Sequence, residues 1–295
     1  MKVLGRIKPA APTRNWVFLG DSLTEGVGSQ RVSHVTELVN HFRADRTNVH
    51  HLRLRTVDPR AFDRLVQFNL AGYLSTDPQD DPTSAFCIWN LACEGQTIET
   101  DFNWLPLIAA IKPELVMIFR GSLESIIRPA MVYDGSWPTW VPPAWRNYSS
   151  MDPRCYFSST PWRRIKQTTI DSLKQRTRLR LLKSRPGRPL MDLDTFANHY
   201  LELATRLRDL QARVLMLGLL PVGEYFPESA AYFVHVNQRL RDIATTAGAD
   251  FYDWAAPLRA NGFHELLYRD TFHPNPAGAK KLADILWSHL GTLNL

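Results

Sequence analysis

The chain has 295 residues, 44% of them hydrophobic, with 35 Lys and Arg against 29 Asp and Glu. That content supports a buried core and excludes wholesale disorder. No window approaches the roughly 18 apolar residues that a membrane-spanning helix needs. Met1 to Arg14 holds no apolar stretch of about seven residues, so no secretory leader is expected and the expected location is cytoplasmic.

Apolar runs alternate with stretches of helical period. Trp16 to Leu19 reads as a first strand, and Val32 to Phe42 as a helix, with Val32, Val35, Leu38, Val39 and Phe42 on one face. His50-His51 has no carboxylate or cysteine pattern around it and reads as a solvated segment. Arg60 to Leu74 has the period of a further helix. Ala85 to Leu91 is a strand candidate, followed by a helix from Thr97 to Ile111 that Pro113 stops. Leu115 to Phe119 is apolar without alternation, as a strand buried on both faces must be. Further on, Asp194 to Gln211 is an amphipathic helix, Val214 to Leu220 a strand, Ser229 to Ala247 a helix closed by Gly248, and Asp250 to Trp254 a short last strand. Asn275 caps a final helix, Pro276 to Leu290. Strand and helix in alternation predict a parallel sheet with helices on both faces.

Residues 125–190 break this rhythm. Their first half is rich in Trp, Pro and Tyr, and Arg163 to Arg188 carries ten Lys and Arg. A structureless loop of that length inside a compact domain is uncommon, so the segment reads as an inserted lid or subdomain in one domain built from 15–124 and 191–295. Trp137, Trp140, Trp145 and Trp162 either pack the insert onto the core or line a pocket. The basic run has no nucleic-acid motif beside it, so nucleic acid is not an expected partner, whereas an anionic small molecule stays open. The three cysteines, Cys87, Cys93 and Cys155, have no metal-site spacing and read as reduced thiols. No metal or organic cofactor is expected.

Two segments carry chemistry. Gly20-Asp21-Ser22-Leu23-Thr24-Glu25-Gly26 follows the first strand, and ligands of parallel sheets sit at the carboxyl ends of strands. A serine hydroxyl needs a base to become a nucleophile. Of nine histidines, His273 stands three residues after Asp270, a spacing that puts imidazole and carboxylate on one side of a turn.

With G-D-S-L at 20–23 and D-x-x-H at 270–273, the chain resembles the GDSL, or SGNH, hydrolase family. A further block, Asn90 followed by Gly95, fits the same family. The resemblance covers about 15–124 and 194–295. It implies a flavodoxin-like three-layer α/β/α sandwich around a parallel sheet, an oxyanion held by the N–H groups of Ser22 and Gly95, and a small ester or acyl substrate. One block departs. Where the family has G-x-N-D, this chain has Arg120-Gly121-Ser122-Leu123-Glu124, and Leu123 cannot donate as the asparagine does. Losing such a donor costs about a hundredfold to a thousandfold in rate. Arg120 or Ser122 are candidate replacements; Arg120 and Glu124 also suit a local ion pair. The reading is a serine-dependent carboxylic ester hydrolase. Its alternatives are an acyltransferase of the same chemistry and a catalytically weak binding protein. The α/β-hydrolase elbow G-x-S-x-G is excluded by Thr24.

Overall fold

The computed structural model describes residues 14–27, 32–45, 47–54, 74–76, 86–146, 158–259, 263–268 and 270–293. The expected helix Arg60 to Leu74 lies outside them, except for its last residue.

Seven strands form one sheet: β1 (Arg14–Gly20), β2 (His50–Leu54), β3 (Leu74–Thr76), β4 (Phe86–Asn90), β5 (Leu115–Phe119), β6 (Arg213–Leu217) and β7 (Asp250–Tyr252). Their order is β3-β2-β4-β1-β5-β6-β7. All pairs are parallel except β2 with the short edge strand β3. The two strands flanking β1, β4 and β5, are buried along their whole length, which explains why β5 is apolar throughout and β4 is apolar up to Asn90 at its carboxyl end. Each fully buried Leu, Ile or Phe there contributes about 1.5–3 kcal/mol to folding.

Helices cover both faces. His34–Ala44 packs on Pro276–Leu290, and Leu193–Asp209 packs on Pro227–Ala247 and on Ile98–Asp101. On the first face, Trp16, Phe42 and Phe86 meet edge to face, and Phe42 meets Trp287 in the same way. Strands β2, β3 and β4 lie on one side of β1, and β5, β6 and β7 on the other. The switch therefore falls at β1, and a crevice opens there beyond the carboxyl ends of β1, β4 and β5.

Several expectations need correction. The helix from Thr97 to Ile111 is three pieces: Ile98–Asp101, a 3-10 turn Phe102–Trp104, and Leu105–Ile111, which has Pro106 in its first turn. His50 and His51 are buried in β2, not solvated; a parallel strand beside β4 has no wet face for them. β2 and β3 escaped detection because H-H-L-R-L and L-S-T offer neither alternation nor an apolar run.

In the insert, Pro161–Ser184 is one long helix, with Asp171, Gln175, Arg178, Leu181 and Leu182 on its inner side. Arg178 anchors it by donating to the carbonyls of Tyr225 and Ile127. Met131, Val141 and Leu181 form a small cluster of their own, against which Trp137 and Trp145 pack. Trp140 and Trp162 instead stand 52% and 75% exposed. Cys87 and Cys93 are both buried. Among the described residues no helix is long and apolar enough to cross a membrane, and no group of three or more His, Cys, Asp or Glu could hold a metal.

Candidate active site

β1 delivers its chain to the crevice and ends on Gly20. A Cβ there would lie 2.1 Å from Thr24 Oγ1, so the next turn closes over the strand end only above glycine. That turn is the short helix Ser22–Glu25. Asp21 caps it, accepting the Leu23 N–H at 2.9 Å, and Gly26 ends it at φ 81°. Asp21 is buried; burial raises its carboxyl pKa, and the nearby Arg120 charge opposes that rise. Ser22 begins the helix, where backbone N–H groups have no helical acceptor. Its N–H reaches no protein acceptor among the described residues.

At the other end of the chain, Asp270 shapes a tight turn. Its Oδ1 accepts the N–H groups of Phe272 and His273, both at 3.0 Å. Its Oδ2 lies 2.8 Å from His273 Nδ1. Thr271, between them, is at φ 57°, a conformation that costs a non-glycine residue about 1–2 kcal/mol. The turn is held by its surroundings. Gly223, from the segment after β6, donates to the Thr271 carbonyl at 2.7 Å and would clash with Thr271 if it had a Cβ. Asn275 caps the final helix through the Gly278 N–H and donates to the Leu267 carbonyl.

These two ends of the chain meet. Ser22 Oγ lies 3.0 Å from His273 Nε2, completing a series hydroxyl–imidazole–carboxylate across 251 residues of sequence. His273 and Asp270 are both buried, and Ser22 is half-buried. In this series the carboxylate selects the tautomer with Nδ1 protonated, leaving Nε2 free to accept from Ser22. A small cleft beside the pair is lined by Leu23, Val27, Val32, His34 and Leu282.

The loop after β4 is tied to the same region. Asn90 holds it from both sides: its Nδ2 donates to the Thr24 carbonyl, and its Oδ1 accepts the Ala92 N–H. Cys93 N–H donates to the Gly20 carbonyl and Glu94 N–H to Glu25 Oε2. Gln96 N–H then closes a turn on the Cys93 carbonyl. Gly95, at φ 75° in that turn, needs the freedom of glycine. A Cβ there would meet nothing within 4 Å, so backbone conformation alone demands glycine. Gly95 is exposed, and its N–H, like that of Ser22, donates to no protein acceptor among the described residues.

The segment after β5 does not supply the missing donor in the expected way. Arg120 is wholly buried and turned inward. Its Nε and Nη2 donate to the two Asp101 oxygens at 2.7 and 2.6 Å, and its Nη1 donates to the Gln96 carbonyl at 2.8 Å. Burial opposes its charge, but the Asp101 carboxylate, joined by the nearby Asp21 and Glu124, outweighs burial and holds the guanidinium pKa above its usual range. Ser122 is buried and Leu123 half-buried. Glu124 is buried too. Its Oε1 accepts the Ile98 N–H at 2.6 Å, Oε2 has no protein partner among the described residues, and burial pushes its carboxyl up to about 7. The partner of Arg120 is thus Asp101, a residue the sequence reading passed over, and Glu124 is not its direct pair. The available signal was an acid on an otherwise apolar face of the Thr97–Ile111 stretch.

His34 was also passed over. It is buried edge-on against Trp254, with ring centroids 4.8 Å apart, and its Nε2 has no protein partner among the described residues. Burial pulls its pKa down to about 3.

Residues 162–281 match the family model described as GDSL-like lipase/acylhydrolase. No curated protein matches the chain. Among solved structures, TesA is 16% identical with a TM-score of 0.52, over 95% of this chain and 99% of that one. The acetyl xylan esterase AlAXEase is 14% identical with a TM-score of 0.54, over 94% and 99%. Axe2, an acetylxylan esterase from Geobacillus stearothermophilus, is 16% identical with a TM-score of 0.53, over 97% and 96%. At such identities these structures establish a shared fold. The matched residues include Asp270 and His273 but not Ser22, and they begin inside the insert, at its long helix.

Proposed function

We propose that this chain, a GDSL-like lipase/acylhydrolase by its family match and an SGNH hydrolase by its fold, is a serine-dependent carboxylic ester hydrolase working through an acyl-serine intermediate. The single observation that carries this reading is the unbroken series from Ser22 Oγ to His273 Nε2 at 3.0 Å and from His273 Nδ1 to Asp270 Oδ2 at 2.8 Å.

Ser22 Oγ attacks the ester carbonyl carbon as His273 Nε2 takes the hydroxyl proton. The carbonyl oxygen becomes an oxyanion and accepts from the N–H groups of Ser22 and Gly95, which donate to no acceptor among the described residues. Their value is electrostatic: donors fixed in place before the charge develops stabilise it without reorganising. The tetrahedral species collapses, and the leaving alkoxide takes the proton from His273. Water then attacks the acyl-serine, gives its proton to His273, and releases the carboxylic acid with Ser22 restored. Throughout, Asp270 orients the imidazole and offsets its transient positive charge.

Transfer to an alcohol or amine shares the first half of this scheme and differs only in what replaces water. Incubation with a chromogenic short-chain ester, with and without Ser22→Ala, tests the proposal. Serine-dependent turnover and labelling of Ser22 by a fluorophosphonate are expected. Absence of both would leave a binding protein on a hydrolase fold. Transfer products on addition of acceptor alcohols would mark a transferase.

A further inference from the structure

The segment after β5 lacks the asparagine donor, yet it is heavily invested in the site. Resting on the ester-hydrolase reading, we propose that Arg120 and Glu124 are positioning residues that stabilise the oxyanion indirectly, by clamping the loop that presents the Gly95 N–H.

Three observations converge on this. First, the clamp grips the chain directly after Gly95. Arg120 Nη1 holds the carbonyl of Gln96, the next residue, at 2.8 Å, and Nη2 reaches the Gln96 side chain at 3.4 Å. Glu124 Oε1 holds the Ile98 N–H at 2.6 Å. Second, the clamp is rigid. Arg120, Asp101 and Glu124 are all fully buried, and the two-pronged contact with Asp101 fixes the guanidinium plane. Third, the loop is stitched elsewhere by Cys93 to Gly20 and by Glu94 to Glu25, while the N–H of the exposed Gly95 donates to no protein acceptor among the described residues. A donor helps the transition state only if its direction is set beforehand, because a misplacement of about 1 Å costs on the order of a hundredfold. A left-handed glycine in an exposed turn is the flexible element that most needs such support. The charge at Arg120 also serves the nucleophile's side, since it counters the burial of Asp21, the cap beneath Ser22.

Arg120→Lys keeps the charge but loses the reach to the Gln96 carbonyl and the two-pronged geometry. The rate constant for a chromogenic ester is measured per active site, with sites counted by fluorophosphonate titration, so that misfolded protein drops out. The expected result is a kcat at least about tenfold lower per titrated site with KM changed less than about twofold, the pattern of an interaction felt only in the transition state. Glu124→Leu and Glu124→Gln form an independent pair that decides the matter if the lysine variant does not fold. Glutamine keeps an acceptor for the Ile98 N–H and is expected to restore most of the rate lost with leucine. The proposal is overturned if folded Arg120→Lys keeps the wild-type kcat per site, or if the two Glu124 variants turn over alike. A wild type without Ser22-dependent turnover would overturn the hydrolase reading itself, a result distinguishable from either of these.

Discussion

The loops after β1 and β5 begin side by side, since Gly20 and Phe119 are register partners in adjacent parallel strands. They also spell nearly the same letters, Gly20-Asp21-Ser22-Leu23 and Gly121-Ser122-Leu123-Glu124. Yet they do opposite things. In the first, the acid turns inward as a cap and the serine faces an imidazole. In the second, the serine is buried and the acid grips a neighbouring loop. What packs above each loop accounts for the difference. A Cβ on Gly121 would meet the Phe196 ring at 2.9 Å and Leu219 at 3.1 Å, so the second loop is pressed under the layer that contains helix Leu193–Asp209. Over Ser22 there is a cleft shared with His273. Short sequence likeness at equivalent strand ends therefore says little about role until the covering elements are known.

The contrast has measurable consequences. Ser22→Ala is expected to lower ester turnover on the order of 10⁶-fold, to background, whereas Ser122→Ala is expected to stay within about twofold; equal losses would erase the distinction between the loops. Asp270→Asn leaves the turn in place but favours the wrong imidazole tautomer, with an expected loss on the order of 10⁴-fold in kcat in the same assay. Gly95→Ala has room for its methyl but not the backbone freedom. A loss of about a hundredfold in kcat is expected from a displaced donor, with about 1–2 kcal/mol of stability lost in urea unfolding.

The smallest effect concerns pH. Burial raises the Glu124 carboxyl from 4.5 to about 7, so between those values the native state holds a proton that the unfolded chain has released. Its contribution to stability is full below pH 4.5 and is lost as pH rises through 7. Glu124→Gln cannot titrate, so the wild type should lose stability relative to this variant between about pH 5 and 7. Urea midpoints across that range measure it, and parallel curves would refute the assignment.

Much of this was legible in the residues alone. β5 was delimited to the residue, because a strand buried on both faces must be apolar throughout. The final helix was too, because Asn275 and Pro276 mark its start. The meeting of Ser22 with Asp270 and His273 was anticipated from a three-residue spacing and a strand end. β2 was not, since two histidines and an arginine in five residues look solvated unless their neighbours are known. Nor was the Arg120–Asp101 pair, because an acid on an apolar helix face hints at burial but does not name its partner.

Periodicity, caps and turn chemistry are properties of residues a few places apart, so the chain's letters suffice to specify the alternating elements and the polar ends of its strands. Burial, and the choice of partner for a charge, depend on residues far apart in sequence. The inward turn of Arg120, the clamp on the Gly95 loop and the different fates of two similar strand ends emerge only when the helices close over the sheet. There the cost of an unpaired buried charge, several kcal/mol, dictates which groups must meet.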